Sequence, residues 1–170
     1  MRLAVLSRSA EDTLAVGDAI GRAARPGLVV ALQGDLGAGK TVLAKGVARG
    51  LGVARWRYVS SPTFTLHNVY RGRLALHHLD LYRMGDEADL EGSGLGEVLY
   101  GPDVCVIEWP DRFFAGLPED RLTVRLEWGA GGEGRTLDLT ASGPVSRGVL
   151  GAVPGRLQGL RWREDVDDLV

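Results

Sequence analysis

The chain has 170 residues, enough for one compact domain and too few to cover two separate cores. Its 45% hydrophobic and 25% charged content is that of an ordinary globular protein and excludes a disordered chain or a fibre. A net charge of −2 gives no overall field for a phosphate backbone, although a local basic patch can hide beneath that average.

The lone Cys105 excludes an internal disulfide, and MRLAVLSRSAED lacks the apolar run of a signal peptide. No run approaches the ~20 apolar residues of a membrane span. A cytoplasmic protein with no membrane partner is expected.

In chain order, Leu3–Leu6 is a short apolar stretch. Ser9, followed by Glu11 and Asp12, then starts a helix with an N-cap hydroxyl and acids in the first turn. The helix runs to about Ala24, with Val16, Ala19, Ile20 and Ala23 on one face, and stops at Pro26-Gly27. Leu28–Gln33 is a continuous apolar run between glycines and reads as a central parallel strand. A second helix covers Thr41 to Leu51 and ends at Gly52.

After the polar stretch Ser60-Ser61-Pro62-Thr63, Phe64–Tyr70 and Leu74–Tyr82 flank Arg71-Gly72-Arg73 as a hairpin. Asp86–Leu90 and Leu95–Tyr100 are short helices, and Val104–Glu108 is a buried strand ending in an acid. Leu122–Trp128 and Arg135–Thr140 predict an antiparallel pair at the sheet edge, across a Gly-rich loop at 129–134. From 144 the pattern dissolves, and 144–170 reads as a loosely attached tail with an acidic end, on which Leu160 and Trp162 are candidates to dock. Residues 1–143 then form one α/β domain.

The segment GDLGAGKT matches G-x-x-x-x-G-K-[ST] at Gly34, Gly39, Lys40 and Thr41. Its glycines let Gly34, Asp35, Leu36, Gly37, Ala38 and Gly39 wrap with their N–H groups around a phosphate. Lys40 reaches the outer phosphates, and Thr41 offers a hydroxyl to Mg²⁺ at a helix N-terminus that favours an anion. Lys40 and Lys45 are the only lysines in a chain otherwise using arginine. A point charge on a thin stem suits this position better than a planar guanidinium does. The fold expected is that of a P-loop NTPase: a mainly parallel central sheet, helices on both faces, and antiparallel hairpin or edge strands.

Such a loop needs an acid at a neighbouring strand end to hold magnesium. Glu108 and Asp80 are the two candidates, Asp80 sharing a strand face with His78 and Tyr82, which would orient it. The adjacent His77 and His78 point to opposite faces, which argues against a transition-metal site there. Ser60, Pro62 and Thr63 fit either a γ-phosphate switch or an ordinary surface turn. Cys105, Phe113 and Trp128 read as packing residues.

GDLGAGKT, SPTFTL at 61–66 with Tyr70, HHLDLYR at 77–83 and VIEWPDR at 106–112, in this order, resemble the TsaE (YjeE) family over about residues 3–143. The resemblance implies an ATP- and Mg²⁺-dependent accessory ATPase of tRNA threonylcarbamoyladenosine formation. It implies TsaD and TsaB as partners, with tRNA reached through them. Carried over by motif, Lys40 and Thr41 bind phosphate and Mg²⁺, Asp80 and Glu108 serve the metal and water, and Lys40, Asp80 and Glu108 carry catalysis. Thr13 and Thr63 join the nucleotide contacts, and Trp109 faces a partner or the switch. A small-molecule kinase and an ATP-gated scaffold remain alternatives, whereas a GTPase lacks its N-K-x-D motif.

Overall fold

The computed structural model describes residues 1–129 and 134–165. Its elements are β1 (Arg2–Ser7), α1 (Ala10–Ala23), β2 (Val29–Gln33), α2 (Lys40–Gly50), β3 (His67–Tyr70), β4 (Leu76–Asp80), α3 (Glu87–Gly92), α4 (Gly96–Leu99), β5 (Val104–Glu108), β6 (Leu122–Trp128), β7 (Arg135–Ala141), α5 (Pro144–Ala152) and β8 (Arg161–Asp165). Short 3-10 turns occupy Trp56–Tyr58, Phe114–Gly116 and Pro154–Arg156.

All eight strands join one sheet in the order β3-β4-β5-β2-β6-β7-β1-β8. The central block β4-β5-β2-β6 is parallel, as the unbroken apolar runs of β2 and β5 require of strands covered on both faces. On one face Val30 and Leu32 pack with Val16 and Ile20 of α1, Leu43 and Val47 of α2, and Val149 and Leu150 of α5. On the other, Val29, Cys105 and Ile107 pack with Leu90, Leu95, Leu99 and Phe113. Parallel strands send their C-terminal ends to one rim, so Gln33, Asp80 and Glu108 finish side by side.

α1 and α2 approach backbone to backbone. A Cβ at Gly17 or Gly21 would lie 2.3 Å from the carbonyl oxygens of Leu43 and Val47. The reciprocal Cβ at Gly46 or Gly50 would lie 2.3 Å from those of Leu14 and Asp18. Each helix thus carries two glycines four residues apart on the touching face, and Asp18 closes the seam by accepting from Arg22 (2.6 Å) and Arg49 (2.8 Å). Val16, Ala19, Ile20 and Ala23 lie in the core as their helical spacing predicts, whereas nothing in that spacing marks these glycines.

Two expectations are corrected. The β6–β7 pair is antiparallel as predicted, but it lies inside the sheet because β1 pairs with β7 and β8 covers β1. The segment from 144 is not loose: α5 buries Ser146, Val149 and Leu150, and Val153 and Leu157 follow into the core. Leu160 packs against that core, whereas Trp162 is 43% exposed.

The order of this segment comes from distant partners that a local pattern does not reveal. Asp120 caps α5 through the N–H groups of Val145 (2.7 Å) and Ser146 (3.0 Å), and β8 satisfies the free edge of β1. Of the Gly-rich loop and the acidic end, residues 130–133 and 166–170 lie outside the described residues.

Candidate functional site

Between β2 and α2 the chain turns through Gly34 (φ 144°), Gly37 (φ 80°) and Gly39 (φ 110°), backbone angles that side chains with a Cβ rarely adopt. A Cβ at Gly34 would also stand 2.6 Å from the carbonyl oxygen of Leu126. Gly39 caps α2 with no side chain, so the first-turn N–H groups of an 11-residue helix face the loop without a side-chain acceptor. Such a helix start suits an anion.

Lys40 opens the helix and is 5% exposed. Its Nζ donates to the carbonyls of Gly34 (2.6 Å) and Asp35 (2.9 Å) and stands 3.7 Å above the centre of the Trp109 ring. Burial pulls the Lys40 ammonium below its ordinary value, opposed by the nearby Glu108, Asp35, Asp80 and Asp111 carboxylates. Trp109 reaches Lys40 because its backbone turns left-handed (φ 59°) directly after β5, a conformation that costs a bulky residue about 1–3 kcal/mol. Tyr82 packs on the same indole, ring centres 5.1 Å apart.

The two acids are neighbours in register, Asp80 at the end of β4 beside Glu108 at the end of β5. Both are buried, at 3% and 2% exposure. Thr41 Oγ1 donates to Glu108 Oε1 at 3.0 Å, and His78 Nε2 lies 2.9 Å from the same oxygen. Asp80 Oδ2 accepts from Ser61 and from Thr63 Oγ1 (2.9 Å), and its Oδ1 accepts from the Tyr82 N–H (3.0 Å). The expectation that His78 orients Asp80 is therefore corrected: period two did put them on one face, but His78 serves the strand beside it. Tyr82 holds Asp80 through its backbone, and its ring goes to Trp109.

A cavity of about 470 Å³ is lined by Lys40, Thr41, Thr63, Asp80, Glu108 and Trp109, with Leu36, Gly37 and Gly39 also at its wall. Gly34 and Asp35 line a second groove of about 720 Å³, which shares Trp109 with the first, and Ala38 is buried. Thr13 does not line the first cavity. It is fully buried behind Gly39, its Oγ1 2.7 Å from Ser7 Oγ and within hydrogen-bond reach of the Ser9 carbonyl.

Arg135 was not anticipated. Its buried Nε has no hydrogen-bond partner among the described residues and lies 3.5 Å from where a Gly39 Cβ would be, with the guanidinium over Trp128. Nothing local marks this arginine in the sequence, since β7 delivers it from nearly a hundred residues away.

Among the described residues no three His, Cys, Asp or Glu side chains converge as a metal cage. Two acids and a hydroxyl beside the glycine loop instead fit a magnesium ion, which characteristically takes one or two carboxylates and draws its other ligands from phosphate oxygens and water. Chemically, the cleft can bind a polyphosphate, neutralise it with Lys40, and hold two carboxylates next to its outer end.

The sequence profile described as "Threonylcarbamoyl adenosine biosynthesis protein TsaE" matches residues 7–136. The Treponema pallidum protein named tRNA threonylcarbamoyladenosine biosynthesis protein TsaE is 49% identical over 121 residues, covering 71% of this chain and 88% of the relative. Its Bacillus subtilis namesake is 44% identical over 134 residues, covering 78% and 82%. The crystal structure of YdiB from Bacillus subtilis superposes with a TM-score of 0.76 at 33% identity, covering 91% of this chain and 95% of that one. The chain belongs to the TsaE family, the proteins of tRNA threonylcarbamoyladenosine biosynthesis.

Proposed function

We propose that this chain is a magnesium-dependent ATPase that supports threonylcarbamoylation of adenosine 37 in tRNA by TsaD- and TsaB-type partners in the cytoplasm, without transferring the carbamoyl group itself. The observation that carries the reading is the convergence of Lys40, Thr41, Asp80 and Glu108 on one cleft at the end of the glycine loop. Arg135, its Nε without a hydrogen-bond partner and its guanidinium without an acidic one among the described residues, adds a cation behind Gly39, which favours an anionic ligand.

In this reading Lys40 leaves the carbonyls of Gly34 and Asp35 for the outer phosphates of ATP. Thr41 and Glu108, already joined at 3.0 Å, open toward the metal side. Magnesium, when bound, supplies charge neutralisation to the departing phosphate. Asp80, fixed by Ser61, Thr63 and the Tyr82 N–H, is held to orient the attacking water. Hydrolysis by the isolated chain is weak, since no arginine among the described residues lines the cleft: Arg83 lies over Phe64 and Arg112 donates to the Gly85 carbonyl.

Reconstituted modification of tRNA by TsaD- and TsaB-type proteins tests this. Wild-type chain should support repeated rounds and Lys40→Ala should not. Equal turnover with and without the chain would remove the reading.

A further inference from the structure

Between Thr41 and Leu79 the chain carries Lys45, Arg49, Arg55, Arg57, Arg71 and Arg73 and no Asp or Glu. A segment of charge +6 therefore sits in a chain of net charge −2, and the remainder sums to −8. The acids that reach into it are engaged, Asp18 by Arg49 and Arg22, Asp103 by His77, Glu108 by Thr41 and His78, and Asp80 by Ser61 and Thr63. Arg73 is spent on the Gly21 and Ala24 carbonyls at the end of α1. Lys45, Arg55, Arg57 and Arg71 have no acidic partner among the described residues.

At the centre of this segment the 3-10 turn Trp56–Tyr58 interleaves cations with aromatics. Trp56 is rooted in the core, with Arg57 at 4.4 Å and Arg49 at 5.4 Å from its ring centre. The turn is held by Tyr58 N–H to the Arg55 carbonyl (3.0 Å) and Val59 N–H to that of Trp56 (3.1 Å). It presents Tyr58, 80% exposed, on the same short turn as exposed Arg55 and Arg57. The tip of the β3–β4 hairpin docks beside it, the Arg73 N–H donating to the Leu51 carbonyl at 2.8 Å, which brings Arg71 to the same end of α2.

We infer that this turn, with Arg55, Arg57, Tyr58 and Arg71, is a direct RNA-binding surface of the chain, taking phosphates on its arginines and an unstacked base on Tyr58. Cations without acidic partners beside an exposed aromatic are the parts from which single-stranded RNA recognition is built. An acidic protein surface would use the cations but has no need of the exposed ring. Only Val59 and Ser60 separate the turn from Ser61, whose hydroxyl holds Asp80, so the surface adjoins the cleft along the chain. The inference rests on membership of a tRNA-modification family and not on ATP hydrolysis.

The test is anisotropy of a labelled, unmodified tRNA anticodon stem-loop titrated with the full chain across a salt series. Wild type should bind at low salt with log Kd linear in log salt. Arg55→Ala with Arg71→Ala should weaken binding and flatten the slope by roughly 0.7–0.9 for each phosphate no longer neutralised. Tyr58→Ala should weaken it about 5- to 150-fold with the slope unchanged, and Arg57→Lys should keep the slope.

Nucleotide affinity, measured on every variant, should stay at the wild-type value and reports that the fold is intact. No RNA binding at low salt overturns the inference, as does binding indifferent to these variants. So does a result in which the variants lose the partner proteins while the chain shows no affinity for RNA. Failure of Lys40→Ala to disturb nucleotide would instead strike the proposed ATPase alone.

Discussion

Lys40 Nζ sits 3.7 Å above the centre of the Trp109 ring, so the cation of the glycine loop is parked on an indole that only a left-handed backbone could deliver. Binding of a triphosphate has to move Lys40 off that ring. Trp109 emission should change when ATP is added, and the change should vanish in Trp109→Phe, which leaves the other three tryptophans in place. Lys40→Ala should weaken ATP binding by roughly 10- to 150-fold, the value of a charged hydrogen bond of ~1.5–3 kcal/mol. Isothermal titration measures it, and wild-type affinity in Lys40→Ala would refute the role given to the lysine.

Glu108 leans on His78, which is fully buried. Replacing it by His78→Leu removes the partner that orients this carboxylate, and Mg²⁺ affinity in the presence of nucleotide should fall roughly 10- to 100-fold. Nucleotide affinity in chelator should hardly change. Unaltered Mg²⁺ dependence would mean that Glu108 is positioned without the imidazole.

Glycine-to-alanine changes should have opposite signs at two positions. Gly46→Ala puts a Cβ 2.3 Å from the Leu14 carbonyl oxygen and should cost about 1–3 kcal/mol, despite the better helix propensity of alanine. Gly92→Ala at the end of α3 meets nothing within 4 Å and should stabilise by about 0.4–1 kcal/mol through the unfolded chain. Urea midpoints decide it, and two shifts of the same sign would contradict the helix contact.

Asp120 gives the stability a pH signature. Burial alone would raise its carboxyl, but hydrogen bonds from Ser146 and the Val145 N–H, with Arg147 nearby, bring it below the ordinary 3.8. The unfolded chain therefore takes up the proton first as pH falls. The contribution of this cap is complete above 3.8, drains as pH drops through the folded value, and is absent below it. Asp120→Ala should be about 1 kcal/mol less stable than wild type at neutral pH. The gap should close in acid, and a gap that stays constant with pH would show that the carboxylate charge is irrelevant.

What could be read from the sequence was what is local. The apolar runs of β2 and β5, the 3.6-residue spacing of α1 and the glycine loop each carry their signal within a dozen residues. Glu108 was legible as a strand-end acid, because parallel strands share a rim, whereas Asp80 read as an acid inside the run Leu74–Tyr82 and ends its strand because β4 stops there. Which neighbour each acid holds was not legible, since the choice of Ser61 and Thr63 for Asp80 and of His78 and Thr41 for Glu108 depends on strand order. Thr13 looked like a ligand residue by motif, yet its hydroxyl is spent on Ser7 and Ser9. The segment after 144 looked formless because its cap comes from Asp120 and its strand partner from the opposite end of the chain.

The glycine seam between α1 and α2 divides the cleft into a wall that can give and one that cannot. Because the two backbones touch along the seam, α2 cannot tilt when a ligand arrives without carrying α1 with it, and through α1 the core beneath β1 and β2. Adaptation to the ligand therefore falls to the opposite side, the stretch from Ser61 to Leu66 and the Trp109 turn, where hydroxyl contacts and left-handed residues hold the chain in place of buried backbone. A partner that needs to sense whether the cleft is full has its information on that side, while α1 reports the same shape in either state.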